Sequence, residues 1–237
     1  MSTGTAAGTG PAGRHALVVV AHHRADSLTA ALARRARERL AADGFPVDLL
    51  DLHAEGFDPR MGPADEPDWE DPGKEYSAAV RAQMARVSAA GLVVIVFPLW
   101  WFGLPALLKG WIDRVWNNGF AYGGGASLGG RRLVWLPLTA YGEAEFRERG
   151  WERTVEHVLG TGIGRFCGFE DTSVHFVHDS LEGGARALEV VDRALPPGQD
   201  AARPAGAAVL RAVTAGSSPE RATAVAGARP TPERAGT

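Results

Sequence analysis

Apolar and polar positions follow two different periods along this chain, and the change of period sketches its elements. Five short runs read as strands: His15–Ala21 (HALVVVA), Phe45–Leu52, Leu92–Phe97, Arg131–Leu138 (RRLVWLPL) and Thr172–Val177 (TSVHFV). An apolar run without gaps suits a strand covered by helices on both faces, whereas TSVHFV alternates. Between the strands the spacing becomes helical. Leu28, Leu32, Ala36 and Leu40 share one side of a predicted helix over Leu28–Ala42, with Ser27 as its N-cap and Asp43-Gly44 as its stop. Leu104, Leu107, Leu108, Trp111, Ile112 and Val115 keep the i, i+3, i+4, i+7 spacing of another, with Pro105 in its first turn, where a missing N–H costs nothing. Further helices are expected over Glu75–Ala90, Glu143–Leu159 and Ala185–Leu195, and Pro98 is expected to stop the third strand's ladder.

Strand and helix thus alternate, which argues a doubly wound parallel sheet. For five strands the expected order is 2-1-3-4-5, the flavodoxin-like three-layer sandwich, with its switch point between strands one and three. The predicted domain covers residues 14–195. Residues 1–13, rich in Gly, Thr and Ala, read as a disordered lead. The chain from Pro196 onward reads as a disordered tail, with one short apolar patch at Ala207–Val213. A long acidic loop, His53–Gly73, has the length that usually marks a functional or mobile segment.

Composition removes several function classes. A net charge of −3 lacks the basic excess of a general nucleic-acid binder. One cysteine, Cys167, allows no intrachain disulfide and no Cys-rich metal site, and fits a reducing cytoplasm. No apolar run reaches the length of a membrane span, and no metal-ligand pattern stands out. The expectation is a cytoplasmic protein with no membrane insertion. Lys109 and Asp113 are an i,i+4 pair expected to form a solvated salt bridge. Cys167, in FCGF, is expected to be a small buried hydrophobe.

Ligands of open α/β sheets bind beyond the carboxyl ends of the strands, so the loops there hold the candidate chemistry. Leu99-Trp100-Trp101-Phe102-Gly103 follows strand three. A buried tryptophan removes roughly 150–250 Å² from water, so rings left bare at a sheet edge need a partner. They either pack under neighbouring loops or a dimer contact, or form a flat wall with backbone N–H groups turned to a planar ligand; the location favours the wall. The loop after strand one, His22–Asp26, ends at a helix N-terminus with Ser27 and Thr29, where free N–H groups and the helix dipole suit a phosphate, unless Ser27 merely caps. Thr139–Gly142, after strand four, stands beside both. Neither G-x-G-x-x-G nor the P-loop pattern is present.

The segment FPLWWFGLPALLKGWIDRV with its following GFAY resembles the core signature of the flavin-dependent NAD(P)H:quinone oxidoreductases, the DT-diaphorase-like family with its bacterial relatives. ALVVVAHHRADSLTAAL resembles the phosphate loop of that family, and DLHAEGFDP and FCGF resemble two of its further segments, so the likeness spans Ala16–Val191. The resemblance implies a flavin, FAD or alternatively FMN, with phosphates held by His22, Ser27, Leu28 and Thr29. Pro98, Leu99, Trp100, Trp101 and Phe102 would line the isoalloxazine, with Thr139, Ala140 and Gly142 at its other side. Trp101, Phe102 and Tyr122 would wall the pocket that receives NAD(P)H and then a quinone, with Tyr122 contributed across a homodimer. The animal enzymes of this family carry a tyrosine and a histidine after strand four. Here the segment is TAYGEAEFRERGW, with Tyr141 to take the tyrosine's part and Arg149 nearest the histidine; Gln83 is offset by one position from a glutamine of the family. Two further classes are a flavin-binding regulatory subunit of a potassium efflux system and a one-electron carrier of the flavodoxin type.

Overall fold

Strands that are apolar on both sides must be covered on both sides, and the packing shows it. The computed structural model describes residues 15–71, 73–183 and 185–197. Its five strands are β1 His15–Val20, β2 Val47–Asp51, β3 Ala90–Pro98, β4 Arg132–Leu138 and β5 Asp171–Val174. They form one parallel sheet of order β2-β1-β3-β4-β5. The helices are α1 Leu28–Ala42, α2 Ala78–Ala89, α3 Ala106–Val115, α4 Glu143–Glu148, α5 Trp151–Glu156 and α6 Ala185–Ala194, with a π-helical segment, His157–Arg165, between α5 and β5. Alternate strand residues divide the core. Leu17, Val19, Val93, Ile95, Phe97 and Trp135 pack with α2, α3 and the π-helical segment. Ala16, Val18, Val20, Val94, Val96, Val134 and Leu136 pack with α1 and α6. This is the flavodoxin-like sandwich, in the expected order.

The register steps the carboxyl edge of the sheet. Val20, the last residue of β1, lies beside Val96, while β3 continues to Pro98, beside Leu138 at the end of β4. Two residues of strand, about 6–7 Å of rise, therefore lift the β3 and β4 loops above the β1 loop. Pro98 does not end the ladder as expected. It has no N–H to donate, but Leu99 N–H continues the pairing to Leu138 O at 2.7 Å.

Several boundaries differ from the periodicity. The α2 helix starts at Ala78, because Ser77 caps it by accepting from Val80 N–H at 3.3 Å. Pro105 is the N-cap of α3 and not part of its first turn. The single helix expected over Glu143–Leu159 is broken. Gly150 adopts φ +76°, a left-handed conformation that glycine enters freely, and separates α4 from α5. From His157 the chain winds as a π-helix through Gly160, Gly162 and Gly164. Gly164 has a steric role there, since a Cβ would stand 2.9 Å from Thr172 Oγ1. The fifth strand is shorter than TSVHFV, although Val177 N–H still reaches Pro137 O at 2.9 Å. The expected lead and the tail beyond residue 197, with its apolar patch, lie outside the described residues.

Candidate active site at the carboxyl edge of the sheet

Loops after β1, β3 and β4 meet over the switch point. The β1 loop is tied down by Ala21 N–H to Val96 O, 3.2 Å. Within it, Arg24 N–H donates to His22 Nδ1 at 3.0 Å, which leaves the ring's Nε2 to carry the proton. Arg24 grips Asp26 in a fork of 3.0 and 2.9 Å. Ser27 caps α1 by accepting from Ala30 N–H at 3.2 Å, as its position before the periodic run predicts. Capping does not exhaust the helix end. Among the described residues, the N–H groups of Leu28 and Thr29 have no acceptor. Two free donors thus stand at the positive end of a 15-residue helix, a setting that favours negative charge.

The β3 loop makes a tight turn in which Gly103 N–H donates to Trp100 O at 3.0 Å. Its central residues, Trp101 and Phe102, have φ +51° and +57°. Asn and Gly normally fill such positions, and bulky aromatic residues do so at a cost. Strain of this kind concentrates at ligand-binding sites. The turn sends its two rings in different directions. The Trp101 side of the turn is open, with the residue 97% exposed. Phe102 turns inward and stacks on Trp151 at 4.1 Å and 16°, with Tyr141 at 5.8 Å. Of the two outcomes weighed from sequence, Phe102 takes packing under a neighbouring loop, while Trp101 is left open to solvent. Trp101 and Phe102 N–H have no acceptor among the described residues.

Trp100 joins the first two loops. Its ring lies 6.0 Å from His22 and 5.9 Å from His23, and these imidazoles stack on each other at 4.6 Å. Burial, followed by the neighbouring His23, holds the His22 pKa below its ordinary value. His23 is a member of the cluster that spacing alone does not single out.

The β4 loop is braced from the side. Thr139 N–H donates to Val177 O at 2.8 Å and Ser180 N–H to Thr139 O at 3.0 Å. Tyr141 N–H reaches Thr139 Oγ1 at 3.2 Å, and Tyr141 O accepts from Asp179 N–H at 3.2 Å, with His178 Nδ1 at 3.3 Å. Ala140 and Gly142 N–H remain without acceptors among the described residues. Trp151 and the His178–Asp179 brace carry no local sequence signal of their role, because they act through contacts distant in the chain. Arg149 is engaged elsewhere, donating to Glu145 at 2.9 Å.

Tyr122 stands apart from these loops. Its ring contacts are Trp69 at 5.8 Å and Phe166 at 5.3 Å, and not Trp100, Trp101 or Phe102. Burial raises its pKa. Beside it a cavity of about 460 Å³ is lined by Met61, Pro67, Trp116, Tyr122, Phe166 and Cys167, among others. Cys167 is buried as expected, and burial pushes its thiol up to about 12, so it is no nucleophile. Lys109 and Asp113 pair at 2.5 Å in a solvent-exposed bridge. Among the described residues no cluster of His, Cys, Asp and Glu is placed to hold a metal ion, and no helix is long and apolar enough to cross a membrane.

A parallel sheet of order β2-β1-β3-β4-β5, with unmet N–H donors on the loops at its carboxyl edge, is the architecture of a flavodoxin-like protein. The chain belongs to the flavodoxin-like NAD(P)H oxidoreductases, matching the family model for a flavodoxin-like fold over residues 14–196. It is 41% identical over 164 residues to the NAD(P)H oxidoreductase YcaK of Escherichia coli (strain K12), covering 69% of this chain and 83% of that one. It is 33% identical over 184 residues to the ribosyldihydronicotinamide dehydrogenase (quinone) of Homo sapiens, covering 67% and 79%. Among solved structures, the NAD(P)H:quinone oxidoreductase from Methanothermobacter marburgensis superposes with a TM-score of 0.66 at 23% identity, over 77% of this chain and 94% of that one.

Proposed function

We propose that this chain is a flavin-dependent NAD(P)H:quinone oxidoreductase, acting as a cytoplasmic homodimer. The observation that carries the reading is the pairing of free donors on two strand ends. Leu28 and Thr29 N–H lie at the α1 terminus, and Trp101 and Phe102 N–H lie in a strained turn one step higher on the neighbouring strands. The spacing suits a phosphate joined to a flat ring. Relatives named as NAD(P)H oxidoreductases and quinone dehydrogenases support the same chemistry.

A bound flavin would supply two-electron redox chemistry, by which NAD(P)H, a proton and a quinone become NAD(P)+ and a hydroquinone. This chain's residues bind and orient. Ser27, Leu28 and Thr29 hold the phosphate, with His22 Nε2–H as a further donor. Pro98, Leu99 and Trp100 would line the ring, and the N–H groups of Trp101 and Phe102 would be available to its polar edge. Thr139, Ala140 and Gly142 stand at its other side. The exposed Trp101 walls the pocket, and Phe102 keeps the turn in place through Trp151. The Tyr141 hydroxyl has no partner among the described residues and is free to support charge developing at the ring edge. Tyr122, remote from Trp101 within one chain, reaches the pocket of the second copy. NAD(P)H and quinone use one pocket in turn, which gives ping-pong kinetics. The flavin is FAD, with FMN the alternative.

The test is direct. Purified protein is expected to be yellow or to become so with FAD or FMN, to release that flavin on heating, and to oxidise NAD(P)H with menadione along parallel double-reciprocal lines. Protein that stays colourless with both flavins overturns the reading. Bound flavin with negligible turnover points instead to a regulatory subunit.

A further inference from the structure

One aromatic group is built with care and has no part in the site as described. Trp69 lies in the acidic stretch of the long loop, 71% exposed, and its ring tilts at 36° to Tyr122. Tyr122 leads on to Phe166, itself 65% exposed, at 5.3 Å. The three rings form a continuous file, and the last two, Tyr122 and Phe166, also line the 460 Å³ cavity.

The file does not arise from loose loop packing, because one buried residue holds its first two members. Asn118, 2% exposed, donates from Nδ2 to Asp68 O at 2.5 Å, the peptide oxygen just before Trp69. The same residue pairs through its backbone with Tyr122, and Gly119 N–H closes that turn on Tyr122 O at 2.7 Å. The Asp68 carboxylate then fixes the peptide around Trp69 by accepting from Glu70 and Asp71 N–H at 2.9 and 3.2 Å. An indole held open to solvent by a buried amide has an orientation but no intrachain partner for most of its surface.

We infer that Trp69 is a specificity-determining residue that extends the acceptor pocket, so that the enzyme favours fused-ring planar acceptors, of naphthoquinone size or larger, over single-ring quinones. The inference rests on the proposed function, in which Tyr122 enters the partner's pocket; Trp69, tied to Tyr122 through Asn118, enters with it. A single-ring acceptor would be covered by Trp101 and Tyr122 without extending to Trp69. A second or third fused ring continues along the file and meets the indole face, where offset stacking is favourable. This contact is the same in the bound and reacting states, so it acts on KM and leaves kcat alone.

The experiment compares wild type, Trp69→Ala and Trp69→Phe with p-benzoquinone, menadione and a three-ring quinone at saturating NAD(P)H. Trp69→Ala is expected to raise KM for the fused-ring acceptors by about three- to ten-fold, with kcat and the p-benzoquinone KM unchanged and most of the loss restored in Trp69→Phe. If KM rises equally for one-ring and fused-ring acceptors, or for none of them, the inference is overturned while the proposed function stands. If wild type reduces no acceptor at all, the proposed function fails and this inference with it.

Discussion

The loop after β3 and the loop after β2 are built on opposite principles. Residues 99–103 are few, yet Trp101 and Phe102 leave their N–H groups unmet and hold a backbone shape that costs energy. The stretch 53–73 is long, the length expected of a mobile or functional segment, yet it is fastened along much of its course. Asp65 is 2% exposed, pairs with Arg114 at 2.6 Å, and accepts from Ser77 N–H and Oγ at 2.8 and 3.1 Å. Arg114 also donates to Asp58 O and lies over the Phe57 ring. Asn117 and Asn118 hold the Asp65 and Asp68 carbonyls, and Gly110 of α3 has no Cβ, which lets Pro59 pack against the helix. The comparison teaches that loop order follows from who satisfies the peptide groups, not from how many residues the loop has. The long loop is satisfied from within and can serve as scaffold. The short one leaves two of its donors unmet.

The sharpest way to break this contrast is to unfasten the long loop. Arg114→Met leaves the Asp65 carboxylate buried without its cation and is expected to cost about 3–5 kcal/mol. Chemical denaturation measures it; a loss no larger than that of a surface substitution would show that the loop needs no clamp. Next comes the turn that carries Tyr122. Gly123 sits at φ +71°, and a Cβ there would overlap Asn118 Oδ1, whereas Gly150 at φ +76° faces open space. Gly150→Ala is expected to cost about 1–2 kcal/mol for the left-handed backbone alone, and Gly123→Ala more than that. Equal losses would mean that Asn118 moves aside freely.

The third effect has the opposite sign. Trp101→Gly relieves a strained backbone and removes a side chain that packs on nothing, so unliganded protein should gain about 0.5–1 kcal/mol while quinone turnover falls. A variant that loses both stability and turnover would mark Trp101 as a packing residue. The smallest effect is on pH. His175, directly after β5 and partly buried, has its pKa lowered by burial, then by Arg132 and Arg193. The unfolded chain therefore binds a proton that the native state refuses. Stability from this group is present above its ordinary value near 6.5 and declines as pH falls below it. Melting temperatures at about pH 7.5 and pH 5.5 should differ less in His175→Asn than in wild type.

Much of the framework was legible because it is dictated locally. Gapless apolar runs located β1, β3 and β4, Ser27 marked the start of α1, and strand–helix alternation led to the sheet order. What escaped was non-local or against residue type. Nothing in Trp101 or Phe102 announces a left-handed backbone, since their types disfavour it. The Gly150 break lies inside a stretch whose apolar spacing suits one helix. The Asp65–Arg114 pair joins residues far apart in the chain, so a loop read as long and acidic is in fact docked. Of the candidate site, His22, Trp100 and the α1 terminus are brought together as the topology implied. Tyr122 is not; its ring contacts lie with Trp69 and Phe166.

The step between strand ends has a consequence for transplantation. The offset between the α1 terminus and the β3 turn, the seats proposed for phosphate and ring, is set by β3 and β4 running two residues beyond β1, a matter of register and not of loop sequence. Grafting both loops onto another parallel sheet would rebuild the pocket only where neighbouring strands stop at the same unequal heights. On a flush edge, the same residues would stand at a different separation.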